Sequence, residues 1–176
     1  MSRTARRMLV VGLPVLALAA LVYGVASAQK TYRLDGPIQP TGGAGVEAPL
    51  GVDMIGTWAM PLPHNDTAAD IEIESVDAVN PQRLTILGIK ASYPGPMDGI
   101  MFVYGYPPED VRAEPIENAK LYVRGSSREI LQLLIGVQRS SAEPGTIDAL
   151  RVRYVAGGER FETTFPWTLK VTDPAP

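Results

Sequence analysis

The sequence predicts an all-β protein that carries one long apolar segment at its N-terminus. Short apolar runs alternate with polar residues at a period of two, which buries one face of a strand and leaves the other in water. The chain of 176 residues has 17 glycines and 16 prolines, and they punctuate these runs as turns do. No long window places apolar residues at helical spacing, so we expect one β domain with a core and an appendage.

The clearest strand pair is a hairpin within Ile147–Thr172. Gly157 and Gly158 supply the positive φ that a two-residue primed turn needs. With these glycines as the loop, Tyr154 faces Phe161, and the apolar residues of both arms share one face. That face is predicted to carry Leu150, Val152, Tyr154, Phe161, Thr163 and Phe165.

The opposite face of this hairpin is predicted to be wet. Arg153 lies opposite Glu162 in the same register, and such a cross-strand ion pair contributes about 0.2–1 kcal/mol. Pro166 lacks an N–H and falls on the wet face, so we expect a bulge or an edge segment there. The hairpin is marginal alone and must bury its apolar face against another sheet.

Residues 1–28 predict a membrane segment. Residues 1–7 carry three arginines and are expected to be a cytoplasmic basic tail, followed by the apolar run Met8–Ala28. As a helix, this run would be about 31 Å long, close to the roughly 30 Å hydrocarbon core of a bilayer. The arginines place the N-terminus in the cytoplasm and the rest of the chain on the outer side of the membrane.

The same segment also fits a cleaved signal peptide. Ala26-Ser27-Ala28 has the small-residue form of a signal-peptidase site, and cleavage after Ala28 would release a secreted domain. The apolar run is longer than the roughly 7–15 residues of a usual signal core, which favours a retained transmembrane anchor. Both alternatives put the folded part outside the cytoplasm.

The remaining chain divides into a linker and a domain. Residues 29–51 combine three prolines with a glycine cluster at residues 42–45, which predicts an extracytoplasmic linker. Residues 52–173 are the predicted β-sandwich. Without the three arginines of residues 1–7, 13 of the 16 basic residues oppose 19 acidic ones, a net charge of −6. This acidic balance argues against nucleic-acid binding.

Seven or eight strands are expected in the domain, at the spacing of an immunoglobulin-like β-sandwich. The parity of inward-facing residues shifts near Ser75 and again at Ile86, which predicts two bulges. Ile100–Tyr106 is apolar on both faces and is predicted to be a central strand. The strands before the hairpin are expected at Val52–Leu62, Asp70–Val79, Leu84–Tyr93, Ile100–Tyr106, Ala119–Arg124 and Glu129–Arg139.

Two of these segments carry finer expectations. Ser126–Val137 could begin as a helix, because Ser126 and Glu129 have the spacing of a capping box. Its neighbours are all strands, which favours a strand over Glu129–Arg139. In the first strand, Asp53, Thr57 and Ala59 are expected on the outward face, and the inward parity is shared by Val52, Met54, Trp58, Met60 and Leu62.

A family resemblance follows from these patterns. The run Met-Pro-Leu-Pro-His-Asn at Met60–Asn65, the run Asp-Ile-Glu-Ile-Glu-Ser-Val at Asp70–Val76 and the late strand-Gly-Gly-strand hairpin resemble uncharacterised exported sandwich proteins of actinobacteria. Those proteins have an N-terminal membrane segment and one small extracytoplasmic domain. The resemblance covers most of the chain through loose strand and turn patterns. It implies the same fold and location, and it carries no activity or site residue.

The sequence offers little for catalysis or for binding a transition metal. It has no cysteine, and its one histidine, His64, sits in a proline-flanked turn without a Gly-x-Ser-x-Gly motif, so nucleophilic catalysis is not expected. His64 with Met60 is the candidate copper site, because imidazole and thioether ligands suit copper. Core packing explains the methionines instead, and neither a metal nor another cofactor is predicted. The other methionines considered for copper are Met54, Met97 and Met101.

Acidic residues on the second strand are candidate calcium ligands. Asp70, Glu72 and Glu74 line one face at about 6.6 Å intervals, and Asp66 precedes them. The spacing of an EF-hand is absent from the sequence. A solvated acidic strand that discourages aggregation is the favoured interpretation.

The best candidate contact surface consists of Tyr93, Tyr104, Tyr106 and Tyr122, which lie close to prolines 94, 96, 107 and 108. Tyrosine gives rigid, amphipathic contact area, and the loops at strand ends carry binding in sandwiches. The simpler interpretation, that most of these rings cap the core with their hydroxyls in water, is the favoured one.

The sequence therefore predicts a membrane-tethered extracytoplasmic β-sandwich that acts as a non-catalytic binding or accessory module of the cell envelope. Its expected partners are the lipid bilayer, through the N-terminal helix, and an unknown protein or other envelope component. The alternative is an extracytoplasmic metal-handling protein, for copper before calcium. An enzyme comes third.

Overall fold

The computed structural model describes residues 31–40, 42–93 and 99–174. The predicted basic tail and the predicted membrane segment Met8–Ala28 lie outside the described residues. In the described part of the chain, no helix has the length and apolar character needed to cross a membrane. The described residues from Tyr32 onward form one compact unit.

The described residues form twelve β-strands and one short 3-10 helix, which confirms the prediction of an all-β protein. The helix spans Ile116–Asn118. The strands are β1 (Ala44–Pro49), β2 (Ile55–Pro61), β3 (Ile71–Val79), β4 (Leu84–Ser92), β5 (Met101–Tyr104), β6 (Ala113–Pro115), β7 (Lys120–Leu121), β8 (Gln132–Arg139), β9 (Gly145–Ile147), β10 (Ala149–Ala156), β11 (Glu159–Phe165) and β12 (Trp167–Thr172).

Three sheets enclose one core. Sheet 1 has the strand order β5-β2-β8-β4-β6, sheet 2 has β11-β10-β3-β7, and sheet 3 has β1-β12-β9. A single hydrophobic cluster takes Trp58 from β2, Leu133 from β8, Val152 from β10 and Leu169 from β12. Because all three sheets contribute to the same cluster, the arrangement is consistent with a β-sandwich.

The predicted hairpin register is confirmed. Leu150 pairs with Phe165 and Tyr154 pairs with Phe161 across β10 and β11. Arg153 forms the expected ion pair with Glu162, at 2.8 Å between Nε and Oε2. Pro166 ends β11, and the chain continues as β12 in sheet 3. The second arm is therefore two strands in two sheets, because Pro166 has no N–H to continue the first ladder.

Both predicted bulges and the choice of strand over helix are also confirmed. The register of β3 shifts against β10 so that Glu74 is the extra residue, and the register of β4 shifts against β8 so that Leu87 is extra. Residues 132–139 form strand β8. Ser126 closes a turn instead of a helix, and its hydroxyl oxygen accepts the N–H of Arg128 at 3.2 Å.

The structure corrects the order and parity of sheet 1. Strand β5 lies at the edge and β2 lies inside, between β5 and β8, so the prediction of a central strand at Ile100–Tyr106 is wrong. Thr57 and Ala59 are fully buried, although the predicted parity puts them outside. Val52 and Met54 precede β2 and are exposed by 42% and 45%. Both faces of β2 are buried from Gly56 to Met60, which removes the alternation that the prediction assumed.

The prediction that residues 29–51 are a linker is wrong for residues 32–40 and 42–51, which belong to the folded domain. Strand β1 pairs in parallel with β12 along its whole length. Ile38 and Leu50 are buried. The Ile38 N–H donates to the Tyr154 hydroxyl at 3.2 Å, and the Ile38 carbonyl accepts the Thr163 hydroxyl at 2.9 Å. The hydroxyls of Tyr154 and Thr163 thus provide the hydrogen bonds that the Ile38 backbone would otherwise make in a sheet.

The structure has four strands beyond the eight segments that the sequence pattern predicts. They are β1, the second half of the split arm β12, and the three-residue strands β6 and β9. Strands of three residues are too short for a period-two pattern to be recognised in the sequence.

Arg139 is a fully buried cation at the end of β8. Its Nη1 donates to the Leu50 carbonyl at 2.7 Å and to Asp173 Oδ1 at 2.6 Å. Its Nη2 donates to the carbonyls of Ala142 and Glu143. Because Leu50 follows β1 and Asp173 follows β12, this side chain joins sheet 1 to both of those sheet 3 strands.

The hairpin register generates a stability prediction. Leu150→Asp should lower the free energy of unfolding by about 3–5 kcal/mol, because it leaves an unpaired charge in the core. Thr164→Asp, on the exposed face of the neighbouring strand, should change it by no more than about 0.5 kcal/mol. Urea unfolding followed by the fluorescence of Trp58 and Trp167 measures both, and equal effects would contradict the register.

Candidate binding groove beside the edge strand β5

The structure separates the four predicted contact tyrosines into two pairs. Tyr104 and Tyr106 line a groove of about 710 Å³ at the end of β5. Tyr93 and Tyr122 contact each other edge to face, with ring centroids 5.5 Å apart, and neither of them lines that groove. Of the four, Tyr104 is the exposed one, whereas Tyr93 and Tyr122 pack against each other.

Tyr106 lies flat against sheet 1. A Cβ atom added at Gly136 of β8 would stand 2.4 Å from the Tyr106 Cγ, and one added at Gly88 of β4 would stand 3.0 Å from its hydroxyl oxygen. These two glycines therefore form the slot that receives the ring. The Tyr106 hydroxyl has no hydrogen-bond partner among the described residues, and burial raises its pKa. The Lys90 ammonium lies 5.9 Å from the ring centroid.

The groove begins where the chain turns away from β5. Gly105, at φ +85°, is in a backbone region that favours glycine. Its N–H donates to the Ile55 carbonyl at 2.9 Å, and its carbonyl accepts the Thr57 hydroxyl at 2.5 Å. From this fixed point the chain runs through Val111 and forms the groove wall.

The groove lining combines apolar, aromatic and acidic residues. Tyr104 is 56% exposed. Glu109 and Asp110 are exposed groove residues, and the groove lining includes no cation. Neither carboxylate forms an ion pair with another residue in the described ranges. The groove can therefore offer ring contacts, apolar contacts and negative charge to a ligand.

Tyr93 of the second pair caps the edge strand β7, so its hydroxyl is not in water as the simpler interpretation expects. The Tyr93 hydroxyl donates to the Lys120 carbonyl at 2.8 Å and accepts the Lys120 N–H at 2.7 Å. The Arg128 guanidinium lies 3.6 Å from the Tyr93 ring centroid and 5.2 Å from that of Tyr122. Glu114 neutralises Arg128 at 3.3 Å. These groups satisfy one another.

The candidate copper ligands do not come together. Met60 is fully buried in the core, whereas His64 is exposed and lines a separate cavity of about 390 Å³. Met54 is exposed instead of buried, Met101 is half-buried, and Met97 lies outside the described residues. Within the described ranges, no group of three or more histidines and carboxylates is placed to hold a metal ion.

Most of the candidate calcium ligands are engaged with cations. Asp66 pairs with Arg124 at 2.7 Å, and Glu72 pairs with Lys120 at 3.0 Å. Glu74 pairs with Arg160 at 3.1 Å. The fourth acid, Asp70, accepts the Val123 N–H at 3.2 Å. This arrangement fits the solvated acidic strand better than an oxygen-lined ion site.

Sequence reasoning missed the slot under Tyr106. Its signal is Gly136, an isolated glycine inside an apolar strand, which often marks the close approach of another group. The partner of that glycine is 30 residues away in the chain, so the pattern alone cannot identify it.

The slot under Tyr106 can be tested by a double-mutant cycle. Gly136→Ala should destabilise the protein by about 1–3 kcal/mol, because the added methyl group displaces the ring. In a Tyr106→Ala background, the same change should cost no more than about 0.5 kcal/mol. Urea unfolding of the four proteins measures the coupling, and additive costs would contradict the packing of Tyr106 on Gly136.

The Tyr93 cap predicts a pH dependence of stability. Burial raises the pKa of the Tyr93 phenol to about 12, above the value of about 10 for an exposed tyrosine in the unfolded chain. Because the folded state holds this proton more tightly, its stabilisation is complete below about pH 10 and is lost as the pH rises toward 12.

Tyr93→Phe should therefore remove this part of the alkaline loss of stability, since phenylalanine has no proton to release. Unfolding free energies measured from about pH 8 to pH 12 test this, with Tyr104→Phe as the exposed control. Parallel curves for the wild type and Tyr93→Phe would show that the prediction is wrong.

No protein-family model matches the sequence, and no curated protein and no solved structure matches the chain. A functional assignment therefore rests on the residues and geometry of this protein itself.

Proposed function

We propose that the protein is a non-catalytic binding module of the cell envelope, held on the outer face of the membrane by the segment Met8–Ala28. The observation that carries the binding function is the open groove beside β5, whose lining includes the exposed Tyr104 and the unpaired carboxylates of Glu109 and Asp110. Exposed aromatic and apolar groups with a few polar anchors are typical of recognition surfaces.

The chemistry of the groove favours binding over catalysis. Its lining consists of valine, tyrosine, glycine, proline and two acidic residues. Such groups provide shape, ring contacts and charge. The nucleophiles and bases that enzymes use most often are serine, cysteine, lysine and histidine, and the groove lining contains none of these four residue types.

The extracytoplasmic location is supported by the sequence alone. The three arginines before Met8 and the length of the apolar run favour a membrane anchor with an outer domain. The finer assignment to immunoglobulin-like sandwiches belongs to the same proposal. It is supported by the mainly antiparallel sheets around one core and by the fully buried Trp58 inside that core.

The metal-handling alternative has less support. A copper site on His64 needs a second soft ligand, and Met60 is buried in the core.

Location is tested by fractionating expressing cells and sequencing the N-terminus of the mature protein. We expect an intact chain in the membrane fraction, with the domain accessible to protease from outside. A soluble product that begins at Gln29 would refute the anchor but keep the outer location. A full-length chain in the cytoplasm would refute both.

Binding is tested by placing a photo-crosslinking amino acid at Tyr104 in cells. The matched control places it at Thr164, which is also exposed to solvent but lies on β11 of sheet 2. We expect a discrete adduct with an envelope component from position 104 and none from position 164. Equal crosslinking from both positions, or none from either, would contradict the proposed binding function.

A further inference from the structure

Strand β5 is an edge of sheet 1 whose only protection against pairing is its short length of four residues. Free strand edges invite pairing with other chains, and proteins usually block them with charges, prolines, short length or covering segments. The sequence of β5 is Met-Phe-Val-Tyr, without charge or proline. Within the described ranges, β2 is the only strand that pairs with it.

The other sheet edges in the described part of the chain carry protection. Arg33 covers β11 by two backbone hydrogen bonds, and Gln82 covers β9 by two more. The Tyr93 hydroxyl occupies the N–H and the carbonyl of Lys120 in β7. The three-residue strand β6 ends in a proline, and β1 carries an exposed glutamate and also ends in a proline. Each of these edges thus carries a charge, a proline or a covering group, whereas β5 has only its short length.

The ladder fixes which backbone groups of β5 point outward. In an antiparallel pair, hydrogen-bonded and non-hydrogen-bonded residue pairs alternate. Gly105 bonds to Ile55, and the register then assigns the hydrogen bonds of β5 to Val103 and Met101. The N–H and carbonyl groups of Phe102 and Tyr104 therefore point away from β2.

An independent hydrogen bond agrees with this parity. On the other side of β2, the Leu62 N–H donates to the Leu131 carbonyl at 2.8 Å. The backbone N–H and carbonyl groups of even-numbered residues of β2 thus point toward β8. Those of odd-numbered residues such as Thr57 point toward β5. Two donors and two acceptors remain on the free side of β5, spaced as an added strand requires.

The side chains around this edge define the character of a ligand. Val103 is half-buried and lies opposite Thr57, so it shares a face with the exposed Ile55. This apolar surface would meet every second side chain of an added strand. Glu109 and Asp110 line the same groove as Val103 and Tyr104 of β5, and they have no ion pair in the described part of the chain. Their charge is complementary to a lysine or an arginine.

We propose that β5 binds an extended segment of a partner protein as an additional β-strand, with apolar residues at alternate positions and a basic residue at the end that faces Glu109 and Asp110. Backbone hydrogen bonds to Phe102 and Tyr104 supply affinity, and the alternating side chains supply specificity. This inference deepens the proposed binding function and rests on it. A second copy of the chain fits less well, because it would bring a net charge of the same sign to an acidic site.

The first test uses an array of synthetic nine-residue peptides. One set alternates valine and threonine and ends in lysine, a second ends in glutamate, and a third has the lysine set's composition with the valines in one block. We expect the alternating lysine set to bind the full-length protein most tightly. Equal binding of the alternating and block sets would overturn strand addition.

The second test locates the backbone contacts. The tightest peptide of the array is resynthesised with one N-methyl group at each position in turn. Each methyl group that removes a bond to β5 should lower affinity about fivefold to tenfold, and the positions between should tolerate it. A loss without this period of two would overturn the proposal.

Variants of Tyr104 provide the matching change in the protein. Tyr104→Pro removes the outward N–H, whereas Tyr104→Ala removes the ring and keeps the N–H. We expect the proline variant to bind the peptide more weakly than the alanine variant while retaining the wild-type melting temperature. If the proline variant does not fold, the N-methyl series still decides the question.

The outcomes separate this inference from the proposed function. If position 104 crosslinks but the affinity losses in the N-methyl series show no period of two, the binding function is kept and strand addition is rejected. Sedimentation that shows a dimer broken by Tyr104→Pro, without peptide binding, would assign the edge to a second copy and overturn the proposal. If neither a crosslink nor peptide binding is observed, both the binding function and strand addition are rejected.

Discussion

The buried guanidinium of Arg139 is the interaction on which the arrangement of the sheets depends. A cation taken out of water is tolerated only when hydrogen bonds and an opposite charge replace its hydration. The two terminal nitrogens of Arg139 bond to the Leu50 carbonyl, to Asp173 and to the loop that follows β8, whereas its Nε has no partner among the described residues. Removing one partner of such a buried ion typically costs about 3–5 kcal/mol. The ends of β1, β8 and β12 are therefore held at one point.

The same residue fixes the strand that carries the groove. The Arg139 carbonyl accepts the Asp53 N–H at 2.9 Å, and its N–H donates to the Met54 carbonyl at 3.3 Å. The next residue, Ile55, accepts the Gly105 N–H at 2.9 Å. A continuous series of backbone bonds thus connects the buried cation to the turn where the groove begins. An edge strand whose neighbour is held by these bonds is the kind of scaffold on which an extended ligand can pair without reorganising the protein.

The sequence predicts the hairpin because a period of two, a Gly-Gly turn and the Arg153–Glu162 pairing all require the same register. It also predicts the bulge at Glu74, since an extra residue reverses the inward parity. It cannot predict that β5 is an edge, because a strand with one face on the core and the other beside the loop at Tyr106 is as apolar as a central one. Strand β1 is not predicted for a different reason. Its small residues and prolines resemble a linker, and its partner β12 is over a hundred residues away in the chain.

The central claim is that β5 is a regular strand with an open outer edge. Amide hydrogen exchange, followed by NMR in the absence of any ligand, tests it most directly. The account predicts slow exchange for Val103 and Gly105, whose N–H groups bond to β2, and fast exchange for Phe102 and Tyr104, whose N–H groups point outward. Protection of Phe102 and Tyr104 equal to that of Val103 would mean that this edge is already paired or covered, and would contradict the account.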